Sequence, residues 1–187
     1  MNTKRDQIID TTCQLMEMQG YHATGLNQIL AESGAPKGSL YYYFPEGKEE
    51  LAEEAVTRSS RLIEQTIRGV MAEIDDPVTA VTTFIFILAE QVELSGFRAG
   101  GPITAIALES ASTNDRLREA CHHAYQSWQD AFAEKLRQGS YSEARAQRLA
   151  VLIISALEGG IILSRSQHNA QPLRDVAAEI ELLLRCN

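Results

Sequence analysis

Residues 24–44, TGLNQILAESGAPKGSLYYYF, constrain the fold of this chain more than any other stretch. Apolar residues recur at helical spacing on each side of Ser-Gly-Ala-Pro, which favours two short helices with a break between them. Gly34 is placed to cap the first helix, and Pro36 cannot continue that helix but can open the next one. Two short helices joined by a turn of about four residues that contains a glycine form a helix-turn-helix unit.

The second of these helices has a predicted buried side and a predicted exposed side. Leu40 and Phe44 are four residues apart and are expected to face the core of the unit. The exposed positions are expected to be Lys37, Gly38, Ser39, Tyr41, Tyr42 and Tyr43. No acidic residue occurs in residues 33–45, and Lys, Ser and Tyr all donate hydrogen bonds to phosphate oxygens. The pattern favours contact with nucleic acid; the alternative is that LYYYF is only the apolar seam of a small helical domain.

The first quarter of the chain resembles the DNA-binding domain of the TetR family of repressors. The resemblance rests on GYHAT at residues 20–24, SG at residues 33–34, KGSLYYYF at residues 37–44 and KEEL at residues 48–51. The amino-acid sequence of these segments further resembles the branch of the family that holds the lincomycin-resistance and flavonoid-responsive repressors. The whole chain is accordingly predicted to be all-α with about nine helices, three of them in a DNA-reading head and the rest in a body.

The same resemblance implies roles for eight residues of the head. Those implied to face base edges or sugars in the major groove are Lys37, Gly38, Ser39 and Tyr41. Those implied to hold phosphates are Thr24, Tyr42, Tyr43 and Lys48. Two residues depart from the family pattern. Gly25 replaces a frequent second threonine, which removes a hydroxyl, and Tyr43 replaces a frequent histidine, which keeps a donor but changes its reach.

Composition limits the partners of the chain. The net charge is −8, and residues 1–48 contribute only −1 of it because they carry four basic and five acidic side chains. This balance predicts modest non-specific DNA affinity with a shallow salt dependence. No run approaches the roughly 20 apolar residues of a membrane span, and the N-terminus lacks the apolar region of a signal peptide. Three widely separated cysteines predict a reducing, cytoplasmic environment.

Two domains are predicted, a helix-turn-helix DNA-binding domain at residues 1–47 and a ligand-binding and dimerisation domain at residues 48–187. A long helix that begins at Lys48 joins them and is the expected carrier of any signal. Predicted helix N-caps are Asn2 or Thr3 for the first helix, Thr24 for the second and Ser142 for a late apolar helix.

The middle of the chain is predicted to bind a small hydrophobic molecule. The run FIFILA at residues 84–89 is apolar on more than one side of a helix, which favours the lining of a core or a cavity. Aromatic and apolar walls with a few polar groups suit a planar hydrophobic ligand. The candidate ligand-binding residues, each of which is alternatively an ordinary core residue, are Phe84, Ile87, Leu88, Gln91, Leu108, Tyr125 and Trp128.

Two apolar helices close the chain, and they are predicted to form the surface for a second copy. The alternative is that they only extend one core. A pair of glycines, Gly159 and Gly160, interrupts the first of them and favours close approach of another helix, which offsets their low helix propensity. The candidate interface residues are Leu152, Ile153, Leu157, Gly159, Gly160, Ile180, Leu183 and Leu184.

No catalytic site, cofactor or metal site is predicted. Glu119 and His123 share a helix face, but two groups do not make a metal site. We predict a homodimeric repressor that is released from a palindromic DNA operator by a small hydrophobic inducer. The branch resemblance implies a drug-like or flavonoid-like inducer and control of an efflux or detoxification gene. Two rival classes are an enzyme and a helical interaction protein whose helix-turn-helix no longer reads DNA.

Overall fold

The computed structural model describes residues 3–110 and 112–186. Across these residues the chain forms nine α-helices and no β-strand, which confirms the predicted all-α fold. The helices are α1 Lys4–Ala23, α2 Leu26–Ser33, α3 Lys37–Tyr43, α4 Lys48–Glu73, α5 Pro77–Leu94, α6 Thr104–Ser110, α7 Asp115–Gln138, α8 Glu143–Gln167 and α9 Gln171–Arg185.

Short-range signals set several helix ends. Thr3 caps α1 in a capping box with Asp6, whose backbone N–H donates to the Thr3 hydroxyl at 3.1 Å. The alternative cap, Asn2, lies outside the described residues. Gly34 ends α2 in the left-handed region with φ of 62°, and Ser142 caps α8, both as predicted.

The predicted cap of α2 is wrong. Gly25 is the N-cap residue, and no side chain completes the cap. Thr24 is instead fully buried, and its hydroxyl donates to the Gly20 carbonyl at 2.7 Å. A Thr side chain can satisfy a nearby carbonyl as readily as a helix N–H, and here the carbonyl of the preceding turn is the partner.

The chain divides into two compact units whose boundaries fall inside α4 and α7. The first unit comprises Met1–Arg61 with Gly101–Ala124, and the second comprises Leu62–Gly100 with Tyr125–Asn187. In contrast to the predicted boundary at residue 47, α6 and the start of α7 group with the N-terminal helices. The division of roles between a DNA-binding and a ligand-binding domain stays a prediction.

The first unit is built around α1, against which α2, α3 and α6 pack. Its core is a cluster of buried apolar side chains contributed by α1 to α4 and by the turn after α2. The members of this cluster are Ile8, Ile9, Leu15, Ile29, Ala35, Leu40, Phe44 and Leu51.

The second unit contains α5, α8 and α9, which pack on one another. Ile85, Ile153 and Leu173, one from each of these helices, are completely buried. Gly160 lies where α9 approaches α8, since a Cβ atom built on it would lie 2.8 Å from a Leu173 methyl carbon. The glycine pair does not interrupt α8, which runs through it without a break. The predicted close approach of another helix is confirmed for Gly160, whereas Gly159 has no such neighbour.

Helices α5 and α8 are long and apolar enough to cross a membrane by length and composition alone. Both are core helices of the second unit, as the burial of Ile85 and Ile153 shows. A core helix passes the same test of length and composition as a membrane span.

We expect Gly160→Ala to lower the free energy of unfolding by about 1 kcal/mol, because overpacking against Leu173 costs about 1–3 kcal/mol and the gain in helix propensity offsets about 1 kcal/mol. Gly69→Ala is the matched control. Gly69 lies in α4 with nothing within 4 Å of a built Cβ, so this variant should gain about 1 kcal/mol. Urea unfolding followed by circular dichroism measures both changes, and equal effects of the two substitutions would contradict the packing described for α8 and α9.

Candidate nucleic-acid interface

Two buried side chains orient helix α3. Leu40 and Phe44 are both 0% exposed and belong to the core cluster of the first unit together with Ile29 and Leu51. A helix of seven residues has little intrinsic stability, so tertiary packing of one side is what holds it. The opposite side of α3 is consequently turned away from this core.

The outward side of α3 carries the predicted contact residues. Tyr41 is 50% exposed and Tyr42 is 79% exposed, and Lys37 and Gly38 are exposed as well. Within residues 3–110 and 112–186, the side chains of Lys37, Tyr41 and Tyr42 make no hydrogen bond or ion pair. A row of unengaged donors with no local acidic residue is suited to phosphate and base edges.

Tyr43 and Ser39 lie at the margin of this face. Both are half-buried, and Tyr43 packs against the core cluster. The Tyr43 ring meets the Tyr42 ring edge to face, with centroids 5.0 Å apart. This contact restrains the Tyr42 ring.

The phosphate contact predicted for Thr24 needs correction. With no exposed surface and its hydroxyl engaged by the Gly20 carbonyl, Thr24 offers no donor to a ligand. The neighbouring position, Gly25, is exposed but has no side chain. This edge of α2 therefore presents no hydroxyl in the structure.

Lys48, at the start of α4, is held over an aromatic ring. Its Nζ lies 4.3 Å from the centroid of the Tyr21 ring, a cation–π geometry. Partial burial lowers the pKa of Lys48, and the nearby Glu109 carboxylate acts in the opposite direction. The contact restrains the side chain, which would reduce the entropy lost on binding a phosphate.

Arginine side chains neutralise several acidic residues of the first unit. Arg58 pairs with Asp6 at 3.0 Å and with Asp10 at 2.6 Å, which ties α4 to α1. Arg5 pairs with Glu54 at 2.7 Å. Because these carboxylates already have cationic partners, Lys37 can set the local potential at α3 although the head as a whole is near neutral.

Sequence reasoning missed the contacts that tie α6 and α7 to the head. The Glu109 carboxylate of α6 accepts a hydrogen bond from the backbone N–H of His22 at 2.8 Å. A Cβ atom at Gly20 would overlap this carboxylate, and the φ of 80° at Gly20 also favours glycine. Arg116 of α7 pairs with both Glu46 and Glu53.

No short-range sequence pattern predicts these contacts. The partners of Glu109 and Arg116 lie 63 to 87 residues away along the chain. Charged residues on short helices normally indicate a solvated face, and only the tertiary fold identifies the pairs.

The predicted ligand-binding residues divide between the units. Leu108 lies on α6 in the first unit and is 77% exposed, so it does not line a cavity there. The others belong to the second unit, where Phe84 and Trp128 are buried, Ile87, Leu88 and Tyr125 are half-buried, and Gln91 is exposed. Phe84 packs edge to face on Phe132 at 5.5 Å, and Tyr125 does so on Trp128 at 5.3 Å.

The predicted dimer residues also fall into two groups. Five are buried within the second unit itself and belong to its core: Ile153, Leu157, Gly160, Ile180 and Leu184. Leu152 is 46% exposed, and Gly159 and Leu183 are partly exposed. The exposed apolar surface of α8 therefore differs from the predicted one. It includes Leu163, which is 51% exposed and was not among the predicted interface residues.

Among the described residues, no group of three or more His, Cys, Asp and Glu side chains is arranged to hold a metal ion. Cys121 is buried, and burial raises the pKa of its thiol to about 11, so the thiol is protonated at neutral pH.

The fold and this exposed helix define a helix-turn-helix transcriptional regulator. The sequence matches two family models, "Bacterial regulatory proteins, tetR family" at residues 8–55 and "Transcriptional regulator LmrA/YxaF-like, C-terminal domain" at residues 77–179. The chain belongs to the TetR family of bacterial transcriptional regulators.

Relatives span nearly the whole chain. The HTH-type transcriptional regulator YxaF of Bacillus subtilis is 45% identical over 97% of this chain and 95% of its own length. The HTH-type transcriptional regulator LmrA of the same organism is 42% identical over 97% and 96%. A solved TetR transcriptional regulator from Chloroflexus aurantiacus is 27% identical with a TM-score of 0.83, covering 96% of this chain and 92% of its own.

We expect Lys37→Ala and Tyr42→Phe each to raise the Kd for operator DNA at least about fivefold, because each removes a donor worth about 1–3 kcal/mol in a charged contact. The melting temperature should change little, since neither side chain makes an ion pair or hydrogen bond in the described structure. Fluorescence anisotropy and thermal unfolding measure the two quantities.

Arg148→Ala is the control for loss of positive charge, since Arg148 is an exposed residue of α8 in the second unit. It should leave the Kd within about twofold at physiological salt. Equal weakening by Arg148→Ala and Lys37→Ala would contradict a specific role for α3.

Proposed function

We propose that the protein is a repressor whose helix α3 lies in the major groove of its operator. Lys37, Gly38, Ser39 and Tyr41 contact base edges or sugars, and Tyr42, Tyr43 and Lys48 contact phosphates. The observation that carries this proposal is the exposure of Tyr41 and Tyr42 beside Lys37, while Leu40 of the same short helix and Phe44 at its C-cap are completely buried. Tyr41 and Tyr42 are therefore not part of the apolar seam that Leu40 and Phe44 form.

A second copy of the chain is the proposed occupant of the apolar face of α8 and α9. Leu152, Ala156, Gly159 and Leu163 follow one another at spacings of four, three and four residues, so they form one stripe along α8. The stripe borders a groove of about 700 Å³ that α9 lines with residues such as Val176 and Leu183. A two-fold dimer sets two recognition helices about 34–36 Å apart, and the operator is then palindromic.

A small hydrophobic inducer is proposed to bind the second unit near Phe84, Ile87, Leu88, Gln91, Tyr125 and Trp128. Half-buried apolar groups beside edge-to-face aromatic pairs support this assignment, and Leu108 is no longer part of it. By the branch resemblance, the inducer is drug-like or flavonoid-like and the regulated gene serves efflux or detoxification. Such a regulator acts in the bacterial cytoplasm, where its operator is.

The contacts of Glu109 and Arg116 support a route from the inducer to the DNA. Helices α4 and α7 each begin in the first unit and end in the second. Glu109 fixes the backbone at His22, and Arg116 fixes Glu46 before α4. An inducer releases DNA only if it binds more tightly to a conformation in which these contacts hold the heads at the wrong spacing.

The direct test is binding to fluorescent DNA taken from upstream of the protein's own gene. We expect a Kd of about 10 nM or below, at least about a thousandfold tighter than for a scrambled duplex. Planar hydrophobic compounds added to the complex should raise the Kd. Equal affinity for both duplexes would favour the helical interaction protein, and turnover of a bound compound would favour an enzyme.

We expect Leu163→Glu to give a monomer in sedimentation velocity, because it places a charge in an apolar face. Operator affinity should fall at least about a hundredfold when the two heads are no longer linked. Leu62→Glu is the control, since Leu62 is an exposed apolar residue of α4 with 58% exposure. A dimeric Leu163→Glu variant with normal operator affinity would rule out this face.

A further inference from the structure

We infer that the second unit carries a site for a small organic monoanion, separate from the proposed hydrophobic inducer site and built around Lys135. Lys135 lies near the end of α7 and is only 5% exposed. In the part of the chain that the structure describes, its ammonium group makes no hydrogen bond and no ion pair. The stem of the side chain is buried, whereas its ammonium group reaches the accessible surface of a groove, where it can pair with an anion.

The Lys135 side chain borders a groove of about 440 Å³ between the last turns of α4 and α7. Met71 and Ala131, both buried, supply an apolar floor. Gln138, three residues after Lys135, adds an amide on the same border. The volume lies in the range of pockets for small organic ligands.

Among the described residues, none of the carboxylates around the groove forms an ion pair with Lys135. Glu134 accepts a hydrogen bond from Arg68 at 2.9 Å, and Arg68 also pairs with Glu64 at 2.8 Å. Asp76 accepts hydrogen bonds from the Thr79 backbone and hydroxyl at 2.8 and 2.6 Å. Asp76 is close enough to feel the Lys135 charge, but the two do not form a contact pair.

The same carboxylates set the charge of the ligand. Asp75 and Glu134 line the groove, and Asp76 lies nearby, so a second negative charge on the ligand would be repelled. A single carboxylate on Lys135, with a hydrocarbon or aromatic part against Met71 and Ala131, fits both the charges and the floor. A hydroxyl on the ligand has Asp75 as an acceptor on the rim.

The test uses 4-hydroxybenzoate as the probe and 4-hydroxybenzamide as its neutral analogue. The chain has only 4 methionines, so a methyl-labelled Met sample gives a simple NMR spectrum in which Met71 reports on the groove and Met16 and Met18 report on the first unit. We expect a saturable shift of Met71 with 4-hydroxybenzoate at concentrations up to about 10 mM, and no such shift with the amide.

Lys135→Met and Lys135→Gln should each weaken this binding at least tenfold in calorimetry, and Lys4→Met, at an exposed lysine, should not. The melting temperature of Lys135→Met should stay the same or rise without probe, whereas a purely structural lysine would make it fall.

The inference is overturned if Met71 does not shift, if the amide binds as well as the acid, or if the Lys135 variants bind the acid normally. If both variants unfold, the Met71 shift of the wild-type protein with 4-hydroxybenzoate and with 4-hydroxybenzamide still tests the inference. Operator binding without probe is measured separately, so failure of this site leaves the proposed DNA binding untouched.

Discussion

The burial of Leu40 and Phe44 is the contact on which the rest of the head depends. Both side chains are completely enclosed in the cluster with Ile29 and Leu51. Helix α3 is too short to be stable by itself, so its position and its rotation about its axis follow from these two anchors. Because the anchors take one side of the helix, Tyr41, Tyr42 and Lys37 are left on the other, and the surface proposed to meet DNA is a consequence of how the core packs.

The distribution of charge determines the electrostatic potential at the exposed side of α3. Residues 1–48 are near neutral as a whole, three acidic residues of α1 and α4 (Asp6, Asp10 and Glu54) are paired with Arg58 or Arg5, and no acidic residue lies on α3. The positive potential is therefore local. A surface of this kind favours specific contacts over general attraction to the phosphate backbone, since each exposed donor counts more than the total charge.

Much of this architecture was predictable because its signals are short-range. The cap at Thr3, the left-handed turn at Gly34 and the pair of Leu40 and Phe44 each follow from residues within one helical turn. Thr24 failed as a cap because two partners were available to its hydroxyl, and only the turn at Gly20 decides between them.

The sequence also could not separate core from surface on α8, which is apolar over most of its circumference: Ile153 is buried, whereas Leu152 next to it is not. No short-range pattern predicts the role of Glu109, because its partner, His22, is 87 residues away.

Methylation interference on the operator tests the central claim most directly. Methylation of guanine N7 modifies the major groove, and methylation of adenine N3 modifies the minor groove. If α3 reads the duplex as described, N7 methylation should block binding in two patches about one helical turn apart, and the two patches should be related by the operator's two-fold symmetry. Interference confined to adenine N3, or no interference at any guanine, would contradict the account.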